Sequence, residues 1–327
     1  MKGLKLLIGL TLVLPLVSLS LAAEKTTLKF AHNYPLGHPH YEGAELFKKL
    51  VEQRSGGQLE VQVFPNNQLG NDRQIFEAMK LGSIDLILTD QGVPSYAGQP
   101  IWPILQSPYM YRDYDHAFKV FHAPLLQQLY DRCEREISVT VLDPMWYYGI
   151  RHLTTAKKLV RTPADLKGMK IRAPTIPVFI KAVEFMGGNA VPISFPDLYL
   201  ALKQGVVDGQ ENPVATIFAN KYYETQKYLI LTGHILSKNA AFMNTDRLKK
   251  LPANHQQVIK QAMTEAGRHN DKLMLDSEQS IQKKLVELGM QIVEPEVQAF
   301  REAAYNGVKS WLKPEEYDFY GKAQNIK

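Results

Sequence analysis

Residues 162–174, TPADLKGMKIRAP, compress one turn of α/β structure into a short span. Thr162 is a capping residue, Pro163 suits a first helical turn and Asp165 stands at the third position, which together spell a helix start. Gly168 stops that helix. Residues 169–173 then read as a strand, with Arg172 between Ile171 and Ala173 and directly before Pro174. A guanidinium at the end of an apolar strand needs a partner. Residues 146–155, WYYGIRHLTT, raise the same question with Arg151.

Outward from this unit the same alternation continues. Strand-like runs cover 27–32, 59–64, 84–89, 138–143 and 189–193, each followed by an amphipathic or turn-rich segment. The pattern predicts α/β layers built from parallel strands. Gly56 and Gly57 close a helix carrying Phe47, Leu50 and Val51, and Asn71 or Asp72 caps one carrying Ile75, Phe76 and Met79. Residues 252–289 keep a helical pattern throughout. At 1.5 Å per residue this is roughly 50 Å, longer than a small domain is wide, so the segment predicts one helix lying across two lobes. Two helices broken near residues 267–270 are the alternative reading.

The chain has 327 residues, 45% hydrophobic and 22% charged, a globular balance that predicts about two domains. Lys2 and Lys5, an uncharged apolar run and the small residues Ser20 and Ala22 follow the plan of a secretory signal, cleaved after Ala22 or Ala23. The alternative is a membrane anchor, but the apolar run is of minimal spanning length and holds Pro15. No cysteine ends the run, so a lipid anchor is not expected. The lone Cys133 cannot form an intramolecular disulfide, so the exported chain relies on its core. Losing the two signal lysines takes Lys+Arg from 38 to 36 against 33 acidic residues, a formal charge of +3 that calls for no nucleic acid.

Catalytic motifs are scarce: the sequence contains no G-x-S-x-G, G-x-G-x-x-G, Walker loop or H-E-x-x-H, so an enzyme is not expected and no cofactor is implied. His32, His38 and His40 lack a carboxylate or cysteine to complete a metal set and read as solvated loop histidines. Arg151 and Arg172 stand apart from any acidic run. Each is either a structural arginine or a fork waiting for a planar oxyanion.

From Gly149 to His234 the chain carries GIRHLTT, TPADLKGMKIRAP, GGNAVPISFPDLYLALKQGVVDGQENP and YYETQKYLILTGH, with a weaker upstream stretch FPNNQLGNDRQIFEAMKLGSIDL. These segments resemble the substrate-binding subunit of tripartite ATP-independent periplasmic (TRAP) transporters. The resemblance implies a two-lobed periplasmic binding protein fold of type II-like α/β class, with the long helix spanning both lobes. The lobe divisions expected are 23–147 plus about 238–277, and 148–237 plus about 278–327, after a signal peptide at 1–22.

The resemblance further implies that Arg172 grips a ligand carboxylate, with Arg151 as a second arginine, Asn212 as an amide contact and Phe195 as a packing ring. Asn212 also reads as a helix cap before Pro213, and Phe195 as plain core. Asn33 after His32, and Asp90 with Gln91, end predicted strands, where α/β folds place ligands. Trp146, Tyr147 and Tyr148 form an expected aromatic wall. Tyr148 replaces the asparagine of the sialic-acid branch, which points away from sialic acid. The implied function is capture of an organic acid anion, a sugar acid or C4-dicarboxylate, by a periplasmic monomer that hands it to small and large membrane subunits. A periplasmic enzyme on a small carboxylic acid, or a ligand sensor of the same fold, are the rival readings.

Overall fold

The computed structural model describes residues 25–327; the expected signal peptide lies outside the described residues. The first run of elements is β1 (Thr26–His32), α1 (Pro39–Arg54), β2 (Leu59–Phe64), α2 (Asp72–Lys80), β3 (Leu86–Asp90), α3 (Tyr114–Phe121), α4 (Pro124–Ile137) and β4 (Val139–Thr155). A second run holds β5 (Lys170–Ala173), α5 (Pro177–Phe185), β6 (Asn189–Pro192), α6 (Leu198–Lys203), β7 (Gly209–Pro213) and α7 (Val214–Ala219). The chain then returns through β8 (Tyr228–Asn244), α8 (Thr245–Lys249), α9 (Ala253–Glu287), β9 (Gln291–Val293), α10 (Val297–Trp311) and α11 (Pro314–Gln324).

The punctuation acts locally as its chemistry requires. Asn71, not Asp72, caps α2, in a reciprocal box with Gln74. Thr162 and Asp165 form the same box, but the segment it starts is a single 3-10 turn, Pro163–Leu166, ended by Gly168 at φ 81°.

One sheet connects the two runs, in the order β2-β1-β3-β8-β4-β7-β5-β6 with β9 beside β8. The expectation of parallel strands holds for β1 with β2 and β3, and for β5 with β6 and β7. It fails at the centre, where β8 runs antiparallel to β3 and to β4, and β4 antiparallel to β7. These two 17-residue strands cross from one lobe to the other. The end of β8 nearer Asn244 pairs with β3, while the far end of β4 pairs with β7, so each lobe hangs from a different stretch of one shared ribbon. Register shifts punctuate the ribbon between Val141 and Asp143, Asp143 and Trp146, Tyr147 and Gly149, and Arg151 and Leu153. Such bulges bend and twist a strand pair, which a two-lobed molecule needs at its waist.

The long helix α9 is continuous through residues 267–270. Gly267 is there for packing: a Cβ would meet Trp146 Nε1 at 2.7 Å, and a Cβ on Gly43 of α1 would meet the same indole at 2.6 Å. Trp146 is therefore core, clamped between α1 and α9, and not the ligand wall expected of it. Tyr147 is likewise buried, its amide donating to Asp271 of α9 at 2.6 Å. α10 packs on α5, while the C-terminal stretch after it turns back to the first run, where Arg112 donates to the carbonyls of Gln324 and Ile326.

Candidate functional site

A cavity opens between the lobes, with an empty volume of about 470 Å³ counting its mouth. The first run supplies Asn33 and Tyr34 after β1, Asp72 at the start of α2 and Asp90 at the end of β3. From the second come Arg172, Pro174, Thr175, Ile176, Phe179, Phe195 and Asn212, and the shared ribbon adds Tyr148, Arg151 and Asn239. Strand ends and helix starts face each other here because parallel strands deliver their carboxyl ends to one edge.

Arg172 lies on β5 with 1% of its surface exposed. Its Nε donates to the carbonyl of Ile193 at 2.8 Å, and its Nη1 has no hydrogen-bond partner. Among the described residues no carboxylate stands within ion-pair distance of it. Burial lowers its pKa from the usual guanidinium value, a cost that an anion in the cavity would offset. Beside it, α5 begins at Ile176 with no side-chain cap, leaving a helix start, itself favourable to negative charge, on the same wall.

Arg151 is differently placed, and the expectation that it stands free of acidic neighbours is corrected. Its Nε and Nη2 meet Glu211 Oε2 and Oε1 at 2.5 and 2.7 Å, and Phe179 lies 4.7 Å beneath the guanidinium. Glu211 also receives His234 Nε2 at 3.1 Å. Burial opposes ionisation of Glu211, but the Arg151 charge and hydrogen bonds outweigh it and hold the carboxyl down at about 2. The motif that carries Asn212 thus also supplies the counter-ion of Arg151: antiparallel β4 and β7 pair Arg151 with Pro213, which places Glu211 alongside.

Asn212 lies on β7 and is not a helix cap; its Nδ2 donates to Gln210 Oε1 at 2.5 Å. Phe195, half-buried in the turn Phe195–Asp197, lines the cavity. Asn33 and Asp90 also line it, but Gln91 does not. Gln91 lies in the turn that follows β3 and is fully buried.

Seven lining residues were not among the candidates: Tyr34, Asp72, Pro174, Thr175, Ile176, Phe179 and Asn239. Asp72 showed only as a possible cap; its Oδ1 accepts from Asn33 Nδ2 and Thr89 Oγ1, and burial raises its pKa. Tyr34 and Asn239 are hydrogen-bonded to each other, Asn239 on a strand that the sequence reading did not mark. Asp90 accepts from the Gly92 amide at 2.7 Å and Gln106 Nε2 at 2.8 Å, yet burial still moves its pKa up to about 7.

The three histidines are not the solvated loop residues expected. His32, His38 and His40 are buried, packed around Tyr34, with ring centroids of His38 and His40 at 4.9 and 4.5 Å from it. Burial lowers the pKa of His32 and His38 to about 3 and that of His40 well below its usual value, so all are neutral near pH 7. Among the described residues no group of three His, Cys, Asp or Glu is arranged to hold a metal.

A cleft between two lobes that share a strand ribbon, holding a buried guanidinium with an unused donor, defines a solute-binding protein. The chain belongs to the family of bacterial extracellular solute-binding proteins, family 7, whose model matches residues 30–314. It is 31% identical over 292 residues to the 2,3-diketo-L-gulonate-binding periplasmic protein YiaO of Escherichia coli K12, covering 89% of this chain and 87% of that one. A TRAP periplasmic solute-binding protein from Polaromonas sp. JS666, bound to D-erythronate, superposes with TM-score 0.87 at 30% identity, over 93% of this chain and 99% of that one. Another from Roseobacter denitrificans OCh 114, with bound L-galactonate, gives TM-score 0.87 at 28% identity over 92% and 99%. The two-lobed periplasmic-binding α/β fold and the solute-binding role expected of the sequence are therefore those of its family.

Proposed function

We propose that this chain captures a small organic acid anion in the periplasm and delivers it to the small and large membrane subunits of a TRAP transporter, with Arg172 gripping the carboxylate. The observation that carries the reading is Arg172 itself: buried, lining the cavity, its Nη1 without a partner. Guanidinium is the group best shaped for a carboxylate, and an anion that completes it offsets the cost of burying it. The relatives above, which bind diketogulonate, erythronate and galactonate, support the same ligand class. Asn33, Asp72, Asp90 and Asn212 then hydrogen-bond the rest of the ligand, Phe195 and Phe179 pack on it, and Arg151, held by Glu211, braces that wall.

The lobes divide near 147/148 and 237/238, where the ribbon changes partners, and residues 1–22 direct export of a monomeric mature protein. One observation favours testing for chemistry as well: Asp90 has the pKa of a general base and lines the cavity.

A thermal-shift screen of the mature protein over aldonates, hexuronates, keto-acids and dicarboxylates tests the reading. A binder at 100 times its dissociation constant adds about 2.7 kcal/mol of stability. Failure of every acid to raise the melting temperature would overturn it, and turnover of a bound acid, followed by NMR, would establish the enzyme instead.

A further inference from the structure

We infer that the cavity selects acids bearing one carboxylate and several hydroxyls, and rejects diacids of the same length, with Asp72 and Asp90 as the residues that exclude the second carboxylate. The inference rests on the organic-acid reading of the cavity and narrows it. It follows from where the charges are and which of them are already matched.

Among the described residues that line the cavity, the cations are Arg151 and Arg172 and the anions are Asp72 and Asp90. The charge of Arg151 is neutralised by Glu211, which takes two of its donors at 2.5 and 2.7 Å. Of the two cations, only Arg172 has no carboxylate among the described residues at ion-pair distance, and its Nη1 is without a partner, which leaves uncompensated positive charge for one carboxylate. The wall built by the first run is of opposite character. Asp72 is held by Asn33 and Thr89, and Asp90 by the Gly92 amide and Gln106. All four donors are neutral: they solvate the two carboxylates without cancelling their charge.

Other cations do not rescue that balance. Lys238 stands beyond Gln106, its Nζ donating to the carbonyls of Leu105 and Leu236 over the face of Tyr111, and it does not line the cavity. The buried histidines are neutral. A ligand anchored by one carboxylate at Arg172 therefore presents its far end to two acceptors. Hydroxyls there can donate to Asp72 and Asp90. Above about pH 7, where Asp90 is ionised, a second carboxylate finds no donor on these two residues and meets like charge in a site of low dielectric.

Matched pairs isolate this effect, because an aldonate and its aldarate differ only in a terminal CH2OH against a COO⁻. Calorimetric titration at pH 8 would compare L-galactonate with galactarate and D-erythronate with meso-tartrate, adding succinate and malate. The expected result is that each diacid binds at least about 100-fold more weakly than its monoacid partner. Asp90→Asn and Asp72→Asn should each narrow that ratio by about tenfold. A diacid that binds the unaltered protein as tightly as its monoacid would overturn the inference, as would a ratio unmoved in both variants. Should one variant fail to fold, the ratio in the unaltered protein still decides. Absence of binding by every acid, monobasic or dibasic, would instead bring down the organic-acid reading on which the inference rests.

Discussion

Arg151 and Glu211 form a two-pronged ion pair with 3% and 1% of their side chains exposed, so one of the two cavity arginines is neutralised before any ligand arrives. Removing one partner of a buried pair leaves the other charged, dry and unmatched, which costs about 3 to 5 kcal/mol. Glu211→Gln and Arg151→Ala should therefore each lower the melting temperature of the ligand-free protein steeply, as read by circular dichroism. Melting curves close to the unaltered protein would show that the pair contributes little.

Arg172 should behave in the opposite way. Its guanidinium has one carbonyl partner and an unused Nη1, so Arg172→Ala should leave ligand-free stability within about 1 kcal/mol. Affinity for the acid found by screening should fall by about 2 to 5 kcal/mol, and Arg172→Lys should recover only part, since an ammonium lacks the planar fork. Calorimetric titration reads the first and thermal melts the second. Unchanged affinity in Arg172→Ala would remove it from the site.

A hydrogen-bond chain fixes how Tyr148 presents itself. His38 Nδ1 accepts the His40 amide at 3.1 Å, which assigns the ring proton to Nε2, 3.3 Å from Thr216 Oγ1. Thr216 in turn donates to Tyr148 Oη at 2.8 Å, so the phenolic hydrogen is left for the cavity. Tyr148→Phe should weaken acid binding about tenfold, the value of one neutral hydrogen bond. Thr216→Val should weaken it as well, with less than additive loss in the double variant, and Thr216→Ser should restore it. Independent, additive losses would mean that the chain does not pass through Tyr148.

The pH dependence of stability should carry the mark of Asp90. Its folded pKa, about 7, lies above the usual carboxylate value, so the folded state holds the proton more tightly than the unfolded chain. The stability this confers is fully present below about pH 4 and is lost as pH rises through 7. Asp90→Asn, which mimics the protonated form, should gain over the unaltered protein between pH 4 and pH 8. At pH 8 the gain should be roughly 2 kcal/mol, below a unit-for-unit conversion because Asp90 keeps some solvent contact. Asp143, also moved up to about 7, is common to both proteins and cancels in the difference. Melting temperatures of the ligand-free pair across this range provide the test; a constant difference would show that Asp90 ionises freely.

Local chemistry was legible in the chain. The cap before α2, the turn start at Thr162, the stop at Gly168, the strand that carries Arg172 and the long helix from Ala253 to Glu287 follow from propensities that act within a few residues. The segments between Gly149 and His234 carried the class of protein and part of the cavity lining, Arg172, Asn212 and Phe195 among them. What depends on who stands beside whom was not. β8 escaped notice because a ribbon buried along both faces has no alternating pattern to read. Its antiparallel course, and with it the place of Asn239, came from pairing with β3 and β4. Trp146 went to the core because Gly43 and Gly267, far apart in sequence, leave room for its indole. Most consequential for function, Arg151 and Arg172 look alike in sequence, each a guanidinium on an apolar strand. Strand pairing brought Glu211 to one and left the other with an unpartnered Nη1.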